Sequence, residues 1–263
     1  MAGSSFSFDD GAAYERAMGC WSRAVAQVFL TWLAPPAGAR WLDVGCGTGA
    51  FTEMLVDACA PSEVTAVDPS SMQIEHARRR PAASRADFRV GDAVALNFGD
   101  GAFDVVAAAL VFNFIADRPR ALREMRRVVR PDGIVGGYVW DFGAERSPSG
   151  PLRTAMKARG LDVQDLPGTA HSSLDALESM FKEAAFEKVA TRTIDVTQRY
   201  SSFDDFWEAQ TPGYYPTTRT IAAMTAGECA DLKAEVRQRL SEDAAGAITY
   251  SARAHAVRAR APR

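Results

Sequence analysis

Residues 41–51 read WLDVGCGTGAF. A short apolar run carrying one acid, Asp43, breaks into three alternating glycines, Gly45, Gly47 and Gly49, and then resumes with helical spacing. Glycine permits the tight backbone of such a turn and, lacking a Cβ, lets main chain lie against a ligand. The helix that follows offers unpaired N–H groups and partial positive charge at its mouth. A plain strand-to-helix link does not need three glycines in five residues, so the turn reads as a binding loop.

The pattern around the turn is an alternation of short apolar runs and helices. ARWLDV (39–44), EVTAVD (63–68), DFRVGD (87–92), FDVVAAALVF (103–112) and IVGGYVW (134–140) read as strands. TGAFTEMLVDACA (48–60), SSMQIEHARRR (70–80) and RALREMRRVV (120–129) read as helices, the last capped by Asp117, with RPDG (130–133) as a turn after it. Strands alternating with helices imply a mostly parallel sheet covered on both faces. Ligands of such sheets sit beyond the carboxyl ends of the strands, and the glycine turn lies at one of those ends.

Two ligands compete for the turn. Gly45-x-Gly47-x-x-Ala50 matches the dinucleotide fingerprint, and Asp68 stands about 20 residues on, where a ribose-binding acid is expected. Alone, these features fit NAD. Asp43, however, would set negative charge near a pyrophosphate while favouring a ligand with an ammonium group. S-adenosylmethionine combines adenosine, ribose and an ammonium, with no phosphate.

At this point the chain resembles the class I S-adenosylmethionine-dependent methyltransferases, in particular the small-molecule group near the ubiquinone/menaquinone-type enzymes. WLDVGCGTGAF is similar to their first motif. VTAVDPSSMQIEHAR, FRVGDAVALNF and FDVVAAALVFNFIADRPRALREMRRVVRPDG follow in the family's order, over about residues 12–142. The resemblance implies a Rossmann-like α/β fold, a mostly parallel seven-stranded sheet with helices on both faces and a C-terminal antiparallel strand. It implies S-adenosyl-L-methionine as cofactor. Asp43 and the turn Gly45, Cys46, Gly47, Thr48 and Gly49 would hold the methionine end, Asp43 through the ammonium, directly or by a water. Asp68 would accept from both ribose hydroxyls, and Pro69, Ser70 and Met72 would flank the adenine. Asp92 would take the adenine amino group and the Ala93 N–H a ring nitrogen. Ala109, Leu110 and the residues up to Phe112 would lie near the sulfonium. On the N-terminal helix, Tyr14 and Arg23 would approach the methionine carboxylate. Asp132 and Ala185 stand where many relatives carry glycine, which affects turns more than chemistry.

The remaining chain is less patterned. Met18, Trp21, Val25, Val28, Phe29 and Leu33 recur at helical spacing and stop at Pro35-Pro36, which makes 1–38 a helical cap. Residues 39–200 form the cofactor-binding core, ending with LDALESMFKEAAFEKV as a helix running into the strand KVATRTIDVTQRY (188–200). Residues 201–243 read as a helical lid insertion within one domain, and 244–263 as a final strand, ITYSARAHAVRAR. Candidate substrate contacts are Trp140, Asp141, His171, Tyr214 and Tyr215, with Trp207 as a further wall. Ordinary packing explains the tryptophans, Asp141 and the tyrosines equally well, and a surface or capping role explains His171 better. No convincing catalytic base stands out; His76 and His255 are weak candidates.

Bulk properties narrow the rest. Across 263 residues, 47% are hydrophobic and the net charge is −3, which argues against nucleic acid as a partner. Arginines at 78–80 and in RAHAVRARAPR read as solvated faces. The four cysteines are widely spaced, so neither a metal site nor a disulfide framework is indicated. The opening MAGSSFSFDDGAAYER lacks the pattern of a secretory signal, and no apolar run approaches the roughly 18–20 residues of a membrane span. The expectation is a cytoplasmic monomer or homodimer with a small-molecule acceptor and no metal.

Overall fold

The computed structural model describes residues 11–211 and 216–263, the side chains of 11–17, 82–83 and 216 excepted. Helix α1 (Gly11–Leu33) leads into β1 (Arg40–Val44), α2 (Ala50–Cys59), β2 (Glu63–Asp68), α3 (Ser71–Ala77) and β3 (Asp87–Val90). The second half of the core is β4 (Phe103–Ala109), α4 (Arg118–Val128) and β5 (Val129–Trp140). Then come α5 (Gly150–Ala158), α6 (Leu174–Glu183), β6 (Glu187–Tyr200), α7 (Phe203–Gln210), α8 (Pro216–Ala222), α9 (Ala226–Gln238), β7 (Ser241–Glu242) and β8 (Ile248–Arg260).

Seven strands lie in the order β3-β2-β1-β4-β5-β8-β6, and the two-residue β7 pairs with β8 as an eighth. The pairs from β3 to β5 are parallel. β8 runs antiparallel to both its neighbours, β5 and β6. The central strands are apolar on both sides because helices cover both faces; Val105, Val106, Ala107 and Ala108 of β4 are all fully buried. Strand order reverses between β1 and β4, which opens a crevice at their carboxyl ends.

Helix α1 is long and amphipathic. Trp21, Val25, Phe29 and Leu33 recur on one face and are buried against the sheet. Phe29 packs on Tyr138 of β5 at 5.0 Å and on Phe51 of α2 at 6.1 Å between ring centroids. That contact fixes the cap beside the crevice. Phe203, Phe206 and Trp207 of α7 are buried in the same core, and Leu232 and Val236 bury one side of α9. No described residue of 201–243 lines the crevice.

RPDG does not separate helix from strand as expected. It falls within β5, where the pairing with β4 shifts register between Phe103 and Val105. Asp132 takes the left-handed conformation there, with φ of 56°, and Ala185 does so after α6, with φ of 58°. Both are positions where the sequence comparison marked a missing glycine. Helix α5 carried no sequence reading. It is fixed by a non-local pair, the nearly buried Arg153 donating to Glu145 and to the Gln164 carbonyl. No described helix is long and apolar enough to cross a membrane.

Candidate functional site

The glycine turn is built from both sides. Gly45 and Cys46 N–H groups both donate to the Val67 carbonyl of β2, at 2.8 and 3.0 Å. Gly45, Gly47 and Gly49 all have positive φ. A Cβ on Gly45 would stand 2.2 Å from Val111, and one on Gly49 would stand 3.1 Å from both Ala77 and Phe88. A Cβ on Gly47 would meet nothing within 4 Å. The outer glycines are therefore close-packing devices, while Gly47 opens onto a cradle that a side chain would fill.

That cradle belongs to a crevice of about 380 Å³. One wall is the turn, Gly45 to Thr48, running into Ala50 and Phe51 of α2. Asp68, Pro69, Ser70 and Gln73 form the side toward β2 and α3. Opposite stand Ala109, Leu110, Val111, Phe114 and Tyr138, with Ser22 reaching in from α1. Leu110 has φ of 58°, a costly conformation for a leucine, held by its N–H donating to the Tyr138 carbonyl at 2.8 Å. Arg118 braces the same segment, donating to the Phe112 and Asn113 carbonyls.

Two carboxyls sit by the turn. Asp68 accepts the Gly47 N–H and the Ser70 N–H, each at 2.9 Å, one on each oxygen. Each oxygen keeps a further lone pair. Burial raises the Asp68 pKa, opposed by these two bonds. Asp43 is wholly buried behind the turn and is not among the crevice-lining residues. Its Oδ2 accepts from the Thr52 hydroxyl at 2.6 Å, and its Oδ1 has no hydrogen-bond partner. Burial pushes its pKa up to about 7; the Thr52 bond opposes this and the Asp68 charge adds to it. Cys46, between the two acids, is raised well above the usual thiol range, by burial first, and so stays protonated.

The structure brings together Gly45, Cys46, Gly47, Thr48, Asp68, Pro69, Ser70, Ala109 and Leu110 around one space. Several expected residues lie elsewhere. Met72 is 49% exposed and outside the lining, and its neighbour Gln73 faces the crevice instead, because α3 turns about 100° per residue. Arg23 is likewise exposed while Ser22 lines the space. Asp92 is exposed, capping its own turn through the Val94 N–H, and Ala93 is packed in the core; neither lines the crevice. Phe112 is buried on Phe181 and Gly49 is packed behind the turn.

The expected substrate contacts do not converge either. Trp140 is buried edge-on to Trp21, and Tyr138, two residues before it, lines the crevice. Asp141 is buried, accepting from the Ala144 N–H, with Oδ2 3.7 Å from Nε2 of His255. His255 Nδ1 in turn lies 2.7 Å from the Ser172 carbonyl. His171 and His76 are exposed, and Trp207 packs under Lys233. Tyr214 and Tyr215 lie outside the described residues, as does the side chain of Tyr14. Among the described residues no cluster of three or more His, Cys, Asp or Glu could hold a metal.

Residues 42–136, the span that carries the turn, both acids and the opposite wall apart from Tyr138 and Ser22, match the family model of the methyltransferase domain. This core is a class I S-adenosylmethionine-dependent methyltransferase domain. The chain is 32% identical over 171 residues to the O-methyltransferase cnsE of Penicillium expansum, covering 63% of this chain and 56% of that protein. It is 38% identical over 108 residues to the ubiquinone/menaquinone biosynthesis C-methyltransferase UbiE of Paracoccus denitrificans, covering 40% and 43%. These matches span about half the length of the curated relatives. The fold also matches Haemonchus contortus phosphoethanolamine N-methyltransferase 2, solved with S-adenosyl-L-methionine, with a TM-score of 0.59 at 19% identity, over 97% of this chain and 57% of that one.

Proposed function

We propose that the chain is an S-adenosylmethionine-dependent methyltransferase that transfers the methyl group in line to a small-molecule acceptor. The observation that carries this reading is the open cradle over Gly47, bounded by Asp68 on one side and an apolar wall on the other. The donor set supports a cationic nucleoside. Asp68 has lone pairs left for two hydroxyls, and its carboxylate beside Gly47 would repel a diphosphate lying on the turn.

Bound there, S-adenosylmethionine supplies a methyl group already activated by its positive sulfur. This chain's residues then have to bind, orient and exclude water. Gly47 and Thr48 present main chain to the methionine end, and Asp68 holds the ribose. Leu110, Val111, Phe114 and Tyr138 form an apolar wall along which an acceptor can approach. The relative named for ubiquinone/menaquinone biosynthesis supports a small-molecule acceptor. Cys46, Cys59 and Cys229 as free thiols support a cytoplasmic setting.

Calorimetry with S-adenosylhomocysteine and NAD tests the cofactor, and release of S-adenosylhomocysteine from labelled donor against a metabolite panel tests transfer. Binding of S-adenosylhomocysteine with turnover of a panel member is expected. Binding of NAD in its place would overturn the reading. Tight cofactor binding with no turnover of any acceptor would leave a binding module, not an enzyme.

A further inference from the structure

The arginine run 78–80 follows α3, and its three members do different things. Arg79 is exposed. Arg78 donates to the Phe88 carbonyl of β3 at 2.6 Å. Arg80 instead folds back across α2 to the glycine turn, its side chain only 16% exposed. Its Nε donates to the Thr48 carbonyl at 2.6 Å, its Nη2 to the Thr48 hydroxyl at 3.3 Å, and its Nη1 to Glu53 Oε2 at 2.9 Å. Arg80 is not itself among the crevice-lining residues, whereas Thr48 is.

The start of α2 needs such a grip. Its N-cap is Gly49, which supplies no side-chain hydrogen bond and sits at φ of 80°. A helix start on glycine has none of the fixing that a Ser or Asp cap provides. The turn ahead of it contains two further glycines, and while β2 holds the Gly45, Cys46 and Gly47 N–H groups, the Thr48 carbonyl and hydroxyl are held by Arg80. A planar guanidinium with several fixed donors can hold a carbonyl, a hydroxyl and a carboxylate at once, and a lysine cannot match that. Glu53 completes the arrangement by neutralising the charge and anchoring the guanidinium to the first turn of α2.

We infer that Arg80 is a positioning residue for the methyl donor: it locks the Thr48 main chain so that Gly47 and Thr48 meet the methionine end of the ligand in a preset geometry. The inference rests on the S-adenosylmethionine reading. It concerns one end of the ligand, which makes it separable from general stability.

Full-length Arg80→Met and Arg80→Lys are compared with wild type by calorimetry, using S-adenosylhomocysteine and 5′-methylthioadenosine, which lacks the amino-acid end. Thermal melting establishes that each variant is folded. Arg80→Met should raise the Kd for S-adenosylhomocysteine about tenfold, with the Kd for 5′-methylthioadenosine moving less than about twofold. Arg80→Lys should recover part of that loss. A folded Arg80→Met with unchanged affinity for S-adenosylhomocysteine overturns the inference, and so does an equal loss for both ligands. If Arg80→Met does not fold, Arg80→Gln is read by the same two ligands. Wild type that binds neither ligand refutes the cofactor reading and this inference with it; wild-type binding with an unaffected variant refutes this inference alone.

Discussion

Replacing Asp43 by Asn should make the apo protein more stable at neutral pH and above. Asp43 is fully buried, one of its oxygens has no partner, and burial moves its pKa from the ordinary 3.8 to about 7. A carboxyl whose folded pKa is raised holds its proton in the native state while the unfolded chain has already lost it. Stability from this group is therefore fully present below about pH 4 and drains away as pH rises toward 7. A displacement of that size corresponds to roughly 4 kcal/mol, to be taken as an order of magnitude. Asparagine keeps an oxygen for the Thr52 hydroxyl and never ionises, so the loss should vanish. Urea unfolding of both proteins between pH 4.5 and 8, read by tryptophan fluorescence, measures the difference. The wild-type midpoint should fall relative to Asp43→Asn across that window and run parallel to it above about pH 7.5. Parallel profiles throughout would refute the burial argument. Asp68, whose charge adds to the Asp43 shift, is part of the difference between the two proteins, smaller than the burial of Asp43 itself. If the ligand's ammonium stabilises ionised Asp43, cofactor binding near pH 6 should also release protons, and Asp43→Asn should abolish that release.

Other expectations follow from the turn and its surroundings. Gly45→Ala should cost about 3 kcal/mol or more, because its Cβ would collide with Val111 at a positive φ; a melting temperature within 2 °C of wild type would contradict this. Gly47→Ala should cost only about 1 kcal/mol yet weaken S-adenosylhomocysteine binding more than about tenfold, since Gly47 lines the crevice and its Cβ would stand in open space. Asp68→Ala should reduce the same affinity by about tenfold or more, and an unchanged Kd by calorimetry would remove the ribose assignment. Ala185→Gly should stabilise the protein by about 1 kcal/mol, because an exposed alanine is held there at φ of 58°; a lower denaturant midpoint would show that the strain is absent.

The core of the fold was readable because its signals are local. The shift from strand runs to helical spacing around 44–50, 68–71 and 117–129 marks boundaries; Asp117 caps α4 as expected, and Ser70, read only as an adenine neighbour, caps α3. The excursion from 141 to 173 was not readable. Its helix depends on Arg153 meeting Glu145 and on Tyr250 donating to the Ser147 carbonyl from 103 residues away, and no periodicity encodes such contacts. The site divides the same way. The turn and Asp68 are set by position along the chain. Ser22, Gln73 and Tyr138 were missed in favour of Arg23, Met72 and Trp140, each one or two residues off. Polarity and aromaticity drew attention to those neighbours. Which side of α1, α3 or β5 meets the crevice is decided by how these elements cross, a tertiary fact.

The placement of β8 between β5 and β6 has a consequence during synthesis. Among the described residues β6 pairs only with β8, and β8 is made some fifty residues later. While the ribosome is still translating that stretch, β1 to β5 can already zip together, but β6 emerges as a lone strand with its backbone groups unsatisfied. The nascent chain must keep β6 from sticking to other molecules until 248–260 emerge and slot between two waiting edges. Clipping those residues from the finished protein would release two strands from the sheet, not one.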